Sequence, residues 1–560
     1  MNKVPVSVVV ITKNEEDNIA ECLESVKWAG EIIVVDDDST DRTREIASGY
    51  GKVFERKMEN EGRHRNWAYA QASNKWVLSL DADERITPEL AVEIAELVKG
   101  NPEFKAYTIP RRNHIGDYWL KWGGEYPAAQ TRLFLKDEFK YEEAEVHPRA
   151  LMEGDCGHLK GDMIHYSHRD IEDYVRSLNG HTTLEAKKWF LTKRNMSFFH
   201  AFWRALDRCF YRRLWRKKAG KDGVYGLCVA VQSGIYQLVS WVKCWEMEQL
   251  PVVSRQSSAS QSVHVNGGGA SVGQGTPSYR TPLGRSDVPS PVAGARGQRQ
   301  KLSVVILTKN CADKVRNCLE SVKWADEIII VDGHSTDGTV EIAREYTDKV
   351  IDSEFEGFGE ERNKGARQAS GNWILELDAD EIVTDAFRER MFRLLSGEDG
   401  GCSAFKFRRK NVFLGRTMMR GGWYHYSAHL FRKGRARYEG DIHEKLLVDG
   451  VMGTMEEEIV HYPFMSMSEF ITRQNRYTTL QAKEMFREDP DIPEKTVMYN
   501  IKTKPVKLFN KMYIKKLGCL EGMQGLVFST LFVWVHFLKW AKYWELRRRS
   551  RNIVGASAPR

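Results

Sequence analysis

Apolar residues at 6–11 and 302–307 form the short runs Val-Ser-Val-Val-Val-Ile and Leu-Ser-Val-Val-Ile-Leu, each followed by Thr-Lys-Asn. A run this short and this continuous predicts a buried parallel strand whose carboxyl end opens into a functional loop. Helices are expected next, at 18–27 and 314–323. Second apolar runs at 31–35 and 327–331 deliver Asp36 and Asp332 at their carboxyl ends, and the Ser-Thr-Asp-x-Thr that follows offers N-cap chemistry for another helix. A third strand, 76–80 or 373–377, runs directly into Asp-Ala-Asp-Glu. Strands alternating with helices, with polar chemistry at each strand's carboxyl end, predict a doubly wound α/β sheet. No Gly-x-Gly-x-x-Gly follows the first strand, which argues against a nicotinamide or flavin enzyme.

Every one of these elements occurs twice. Residues 7–43 align without gaps on 303–339 with 24 of 37 positions identical, and the register persists through Asp81-Ala82-Asp83-Glu84 on Asp378-Ala379-Asp380-Glu381 and Gly123-Gly124 on Gly421-Gly422. A repeat this long is a duplicated domain rather than a solenoid. The expected organisation is a domain over 1–250, a disordered linker over 251–300, a second domain over 301–549 and a tail over 550–560. The linker is rich in Ser, Gly and Pro and holds one aromatic residue, Tyr279, so it cannot repay the entropy of ordering. Nine cysteines stand as singles with no zinc-type spacing, and no charged-then-apolar leader is visible, so a reduced cytoplasmic compartment is expected.

Two carboxylates one residue apart at a strand end are costly to hold together unless a cation or proton neutralises them. An all-oxygen pair favours a hard ion, Mg²⁺ or Mn²⁺, which shares its shell with substrate phosphates. Asp83 and Asp380 are the expected metal ligands, with Asp81 and Asp378 beside the nucleotide; the alternative of solvated loop acids loses ground because the triplet follows a buried strand in both copies. Asp36 and Asp332 stand where a carboxylate accepts hydrogen bonds from a nucleobase or ribose, or else caps a helix.

Thr-Lys-Asn, the strand-end Asp with Ser-Thr-Asp-Gly-Thr, Arg362-Asn363, Asp-Ala-Asp-Glu, Arg-Gly-Gly-Trp-Tyr at 420–424, Ile-His-Glu at 442–444 and Trp-Glu-Leu-Arg at 544–547 together resemble glycosyltransferase family 2. More narrowly they resemble its lipopolysaccharide core β-glucosyltransferase branch. The resemblance covers nearly all of 301–549 and, more loosely, 4–250. It implies two tandem GT-A domains that bind a nucleotide-sugar, usually a UDP-sugar, through Thr12, Asn14, Asp36 and Asp81, and through Thr308, Asn310, Asp332 and Asp378, with the metal on Asp83 and Asp380. Arg65 and Arg362 fall in the segment nearest the diphosphate, though a surface salt bridge is the competing reading. Transfer would invert the anomeric carbon in one displacement, with Glu444 as base and His443 beside it. The first copy departs from this pattern: Val146-His147-Pro148 replaces Ile442-His443-Glu444, and proline cannot accept a proton. Glu142, Glu143, Glu145 and His147 are the nearby candidates there.

Each copy ends in a basic-aromatic stretch followed by an apolar one, 203–221 then 224–245 and 502–516 then 525–540. Gln232, Gln237, His536 and Lys539 interrupt the apolar parts, so neither meets the clean span of about 20 residues that crosses a bilayer. The arginines from 204 to 216, interleaved with Trp203, Phe210, Tyr211 and Trp215, suit helices lying at an anionic headgroup surface. The expected partners are a nucleotide-sugar donor, a lipid-linked glycan acceptor and the inner face of the cytoplasmic membrane. Nucleic acid is not expected, because no recognised motif accompanies the basic residues and the net charge is only +7. Two other readings remain open at this point: a nucleotidyltransferase, which would want a Gly-rich basic loop after the first strand, and a membrane-bound glycan or nucleotide-sugar binding scaffold.

Overall fold

The computed structural model describes residues 3–143, 149–249, 299–440 and 445–556. The expected linker lies outside the described residues except for Arg299 and Gln300, as do the candidate residues Glu145, His147, His443 and Glu444. The chain divides into two compact units, one comprising Met1–Trp245, Phe470–Thr503 and Trp534–Arg560, the other Glu246–Glu469 and Lys504–Val533.

In the first unit a seven-stranded sheet has strand Val4–Thr12 near its centre. Strands Ala29–Asp36 and then Lys52–Glu55 extend it on one side, and Trp76–Asp81 lies on the other, all parallel. Gln130–Leu135 pairs antiparallel beyond Trp76–Asp81. Both faces are covered, as the continuous apolar run requires. Val6, Val8 and Val10 pack with Ile19, Cys22 and Leu23 on one face, while Val9, Ile33 and Val35 pack with Ala68 and Tyr69 on the other. A separate four-stranded sheet carries Glu84–Ile86, Met163–His168, Arg111–Ile115 and Tyr118–Trp119.

The second unit repeats the parallel core with Val350–Asp352, Glu327–Asp332, Leu302–Thr308 and Trp373–Asp378 in order. Here the antiparallel strands join one nine-stranded sheet, because Ala404–Phe413 pairs with both Tyr426–Arg432 and Met452–His461. The doubly wound α/β fold anticipated from the apolar runs is therefore present in both copies, with strand ends within two residues of expectation.

The compact units cut across the repeat. Helix Ile171–Leu191 and, as far as Trp245, helix Gly223–Gln249 of the first copy pack in the first unit with segments 470–503 and 534–556 of the second. The same polar lock occurs there twice. Lys243 Nζ donates to Asn179 O, Asn179 Oδ1, Thr182 Oγ1 and Thr183 Oγ1 at 2.7, 2.7, 2.9 and 2.7 Å. Lys542 Nζ repeats this on Asn475 O, Asn475 Oδ1, Thr478 Oγ1 and Thr479 Oγ1 at 2.7, 2.6, 2.9 and 2.8 Å. A buried ammonium is tolerated because each donor finds an oxygen. Trp534 Nε1 donates to Gln232 Oε1 at 2.9 Å, so the glutamine that broke the apolar pattern has a partner. Gly226 is required by a close approach: a Cβ there would sit 1.8 Å from Ala219 O, and Gly525 meets Gly518 O in the same way at 2.0 Å.

Among the described residues one helix, Gly518–Asn552, is long and apolar enough to cross a membrane by length and composition, where the sequence reading saw an interrupted run. Its best window tolerates the scattered polar residues, and half of that window is buried inside the protein.

Glu545 accepts from Ile171 N at 3.1 Å and from the Tyr225 hydroxyl at 3.1 Å. Burial pushes its carboxyl up to about 7 from an ordinary 4.5. The folded form thus holds a proton that the unfolded chain gives up, so this contribution to stability is full below pH 4.5 and is lost as pH rises through about 7. Glu545→Gln should flatten that part of the melting-temperature profile, and a wild-type slope unchanged in the variant would contradict the assignment.

Candidate active site

The parallel register brings the candidate residues to one edge. Thr12 lies beside Asp36 and Ile11 beside Asp81, and Thr308 beside Asp332 and Leu307 beside Asp378. Strand order reverses at this edge, which is where open α/β sheets leave a crevice for ligands.

Asp36 is buried, and its Oδ2 accepts from Ser39 N at 2.8 Å. Asp36 Oδ1 and Thr12 Oγ1 are buried without a hydrogen-bond partner among the described residues. In the second copy these groups satisfy one another: Asp332 Oδ1 accepts from Thr308 Oγ1 at 2.7 Å and from Ser335 Oγ at 2.6 Å. An unsatisfied buried acceptor is expensive, so the first copy is the one poised to take a donor from a ligand at this position. Asn14 and Asn310 adopt left-handed backbone with φ of 52° and 46°. Their side-chain oxygens accept from Thr40 N at 2.8 Å and Thr336 N at 2.7 Å, so these asparagines tie two loops together. Thr43 Oγ1 and Asp41 Oδ2 in turn accept from Glu15 N at 2.7 Å and Glu16 N at 3.2 Å, which makes the Ser-Thr-Asp-x-Thr segment the other half of the tie.

Asp81 accepts from Arg65 Nη2 at 3.1 Å and from Arg132 Nη2 at 2.6 Å, and Arg132 also reaches buried Glu84 at 2.7 Å. Burial opposes the Asp81 charge, but Arg132 and Arg65 more than offset it and hold the carboxyl well below the usual range. Asp378 sits likewise with Arg362 at 2.7 Å and Arg409 at 3.6 Å. Arg65 and Arg362 are therefore not surface salt-bridge residues; each neutralises the first acid of the triplet. Beside them the copies differ, since His64 is buried with neither ring nitrogen partnered among the described residues, whereas Glu361 bonds Lys364 Nζ at 3.1 Å. Arg63 holds Glu143 at 2.9 Å.

The second acid has a partner that the sequence reading missed. His165 Nε2 lies 3.2 Å from Asp83 Oδ2, and His461 Nε2 lies 3.3 Å from Asp380 Oδ1. The other ring nitrogen of each histidine meets an asparagine oxygen, His165 Nδ1 with Asn113 Oδ1 at 2.8 Å and His461 Nδ1 with Asn411 Oδ1 at 2.6 Å. An Nδ1–H donated to the amide oxygen turns the Nε2 lone pair toward the carboxylate. Two acceptors then face one another, an arrangement that needs a proton or a metal cation between them. A histidine whose second nitrogen is oriented in this way has the form of a metal ligand. Among the described residues no third His, Cys, Asp or Glu joins either pair. The signal was present in the sequence: His-Tyr recurs at 165–166 and 461–462, and an asparagine precedes each Gly-Gly at the same spacing.

In the first copy a cavity of about 200 Å³ opens beside His165, lined also by Arg111, Asn113, Glu125, His168 and Tyr174. Burial, opposed by the Asp173 charge, lowers His168 to about 4, so its ring is neutral near pH 7.

An uncharacterized glycosyltransferase of Rickettsia felis is 25% identical over 272 residues, 46% of this chain and 94% of its own length. The lipopolysaccharide core biosynthesis glycosyltransferase LpsC of Rhizobium meliloti is 23% identical over 256 residues, covering 44% of this chain and 94% of that protein. The crystal structure of S. aureus TarS 1–349 in complex with UDP aligns with 44% of this chain and 92% of that one, at 16% identity and a TM-score of 0.23. The family model described as glycosyl transferase family 2 matches residues 7–148 and 303–493, one stretch in each copy and more than half of the sequence, and the chain therefore belongs to glycosyl transferase family 2.

Proposed function

We propose that this transferase moves a sugar from a nucleotide-sugar, a UDP-sugar by class, to a hydroxyl of a lipid-linked glycan of the lipopolysaccharide-core type, with inversion, as a peripheral protein on the inner face of the cytoplasmic membrane. The observation that carries the reading is the pair of facing acceptors at the strand edge, Asp83 with His165 and Asp380 with His461. Each pair offers one oxygen and one nitrogen to a divalent ion and leaves the rest of the shell to substrate phosphates and water. An imidazole ligand suits Mn²⁺ better than Mg²⁺. When bound, such an ion supplies charge stabilisation to the diphosphate as it leaves.

The other roles follow from the neighbouring residues. Asp36 and Asp332, with Thr12 and Thr308, receive the nucleoside. Arg65 and Arg362 cancel the charge of Asp81 and Asp378, so that the second acid of each triplet faces the diphosphate. Glu444 takes the acceptor proton in the second copy, a role assigned by the family's sequence pattern. In the first copy Pro148 stands at that position, so transfer there is slower or the copy serves in binding. The lipopolysaccharide-core acceptor is supported by the Rhizobium meliloti relative, and attachment to a membrane by the exposed aromatic residues Phe199, Trp203, Phe210 and Trp215.

Release of free nucleotide from UDP-, GDP- and ADP-sugars tests this reading. The expected result is turnover of a UDP-sugar that a chelator abolishes and that Mn²⁺ restores at lower concentration than Mg²⁺. Formation of pyrophosphate would point to nucleotidyl transfer instead, and no turnover of any donor, with glycolipid acceptor present, would overturn the proposal.

A further inference from the structure

The helical extension of the first copy bounds an open-sided cavity of about 370 Å³ lined by Arg208, Arg212, Arg213, Arg216, Lys217 and Ser233. The local winding puts these cations together. Residues Asp207–Arg216 form a π-helix, whose i→i+5 bonding takes more residues per turn than an α-helix. Positions 208, 212, 213, 216 and 217, spaced by four and five, therefore fall along one face, and 210, 211 and 215 fall along another.

Five like charges around one space call for counter-charge. Asp207 takes Arg212 at 2.6 Å and Glu125 takes Arg213 at 2.6 Å. Arg208, Arg216 and Lys217 have no carboxylate partner among the described residues. Arg208 is half-buried, and burial together with Arg204, Arg212 and Arg213 works against its charge. An anion in the cavity relieves all three.

The geometry points to a binding site for the phosphate of an anionic lipid headgroup, held by Arg208, Arg216 and Lys217 at the bilayer surface. Guanidinium forks match phosphate oxygens. The lipid source follows from the other face of the same helices, where Trp203, Phe210 and Trp215 are 67%, 60% and 71% exposed. Exposed Trp and Phe beside a row of arginines suit the interface, where rings enter the acyl boundary and cations meet headgroups.

The inference rests on the reading of the acceptor as lipid-linked and names its chemistry further, as a phosphorylated lipid. Glu125, the partner of Arg213, also lines the cavity beside His165. A lipid phosphate in the basic cavity thus lies one ion pair from the first copy's site. In the second copy Met512 and Trp423 occupy the positions of Arg213 and Glu125, and Trp423 stacks on Phe528 at 4.6 Å between ring centres. The charged link belongs to the first copy, the one with proline in place of the base.

The test is vesicle binding by the full chain, with phosphatidylcholine alone and with a minority of phosphatidic acid. Arg208→Gln/Arg216→Gln should weaken binding to the phosphatidate vesicles ~30-fold, about fivefold for each cation, while binding to neutral vesicles stays as in wild type. An equal loss on both vesicle types, or no loss, overturns the proposal. Inorganic phosphate added without vesicles separates the other source: a variant-sensitive thermal shift with free phosphate and no vesicle preference would make this a soluble-anion site and also overturn it. Arg216→Gln alone, at an exposed position, is the second variant if the double one melts early. Vesicle binding needs no sugar nucleotide, so its outcome is read separately from donor turnover, and failure of one reading is distinguishable from failure of the other.

Discussion

Asp380→Asn should lower metal-dependent nucleotide release by roughly 10³-fold while leaving the fold intact. The direction follows from the acceptor pair. With His461 Nδ1–H held by Asn411 Oδ1, the Nε2 lone pair faces a carboxylate, and a cation resolves the conflict. An Asn amide donates to that lone pair and satisfies the site with no cation, so the variant loses the ion and keeps or gains thermal stability when metal is withheld. Asn411→Leu should act more weakly, about 10–100-fold, since it releases the ring without removing a ligand. The control is Asp83→Asn. Loss with Asp380→Asn alone assigns turnover to the second copy and leaves the first as accessory; loss with both supports two working sites and makes Glu142 and Glu143 the next targets. Release that survives both substitutions removes the reading of these pairs as metal ligands.

Arg132→Met should destabilise the first unit by about 3–5 kcal/mol, the cost of stranding buried charge. One guanidinium nitrogen serves Asp81 at 2.6 Å and Glu84 at 2.7 Å, and Glu84 has no exposed surface. Burial already pushes the Glu84 carboxyl up, and without Arg132 it rises further. The deficit should accordingly be largest at neutral pH, a melting shift of about 10 °C, and shrink in mild acid as the carboxyl takes a proton. A deficit that does not depend on pH would mean that Arg132 matters through packing alone.

The parallel core was legible because its runs are buried on both faces and are almost continuously apolar, with Ser7 and Ser303 the breaks in the first strand of each copy. Val6 to Ile11 and Leu302 to Leu307 could hardly be anything else, and the repeat doubled the signal. The strand-end acids were legible for the same reason. What escaped was whatever depends on residues far apart in sequence. Asp83 and His165 meet only after the Met163–His168 strand pairs with Glu84–Ile86, and the recurrence of His-Tyr at 165–166 and 461–462 marks the histidine without saying which acid it meets. For Arg65 and Arg362 a surface salt bridge competed with a place beside the diphosphate, and each turns inward to the first acid of its triplet. The unit boundaries escaped for a related reason: the repeat marks where the duplicated segments lie in the chain and says nothing of which helices pack together.

The assignment of segments 470–503 and 534–556 to the first unit bears on how the protein is made. Tyr225, Gln232 and the Ile171 amide find their partners in Trp534 and Glu545. A ribosome that has just released residue 249 must still add nearly three hundred more, on the order of 15–60 s of synthesis, before those partners emerge. Throughout that interval Tyr225 and Gln232 on helix Gly223–Gln249 lack the partners they have in the folded protein, and partly folded chains of this kind are the ones that chaperones hold.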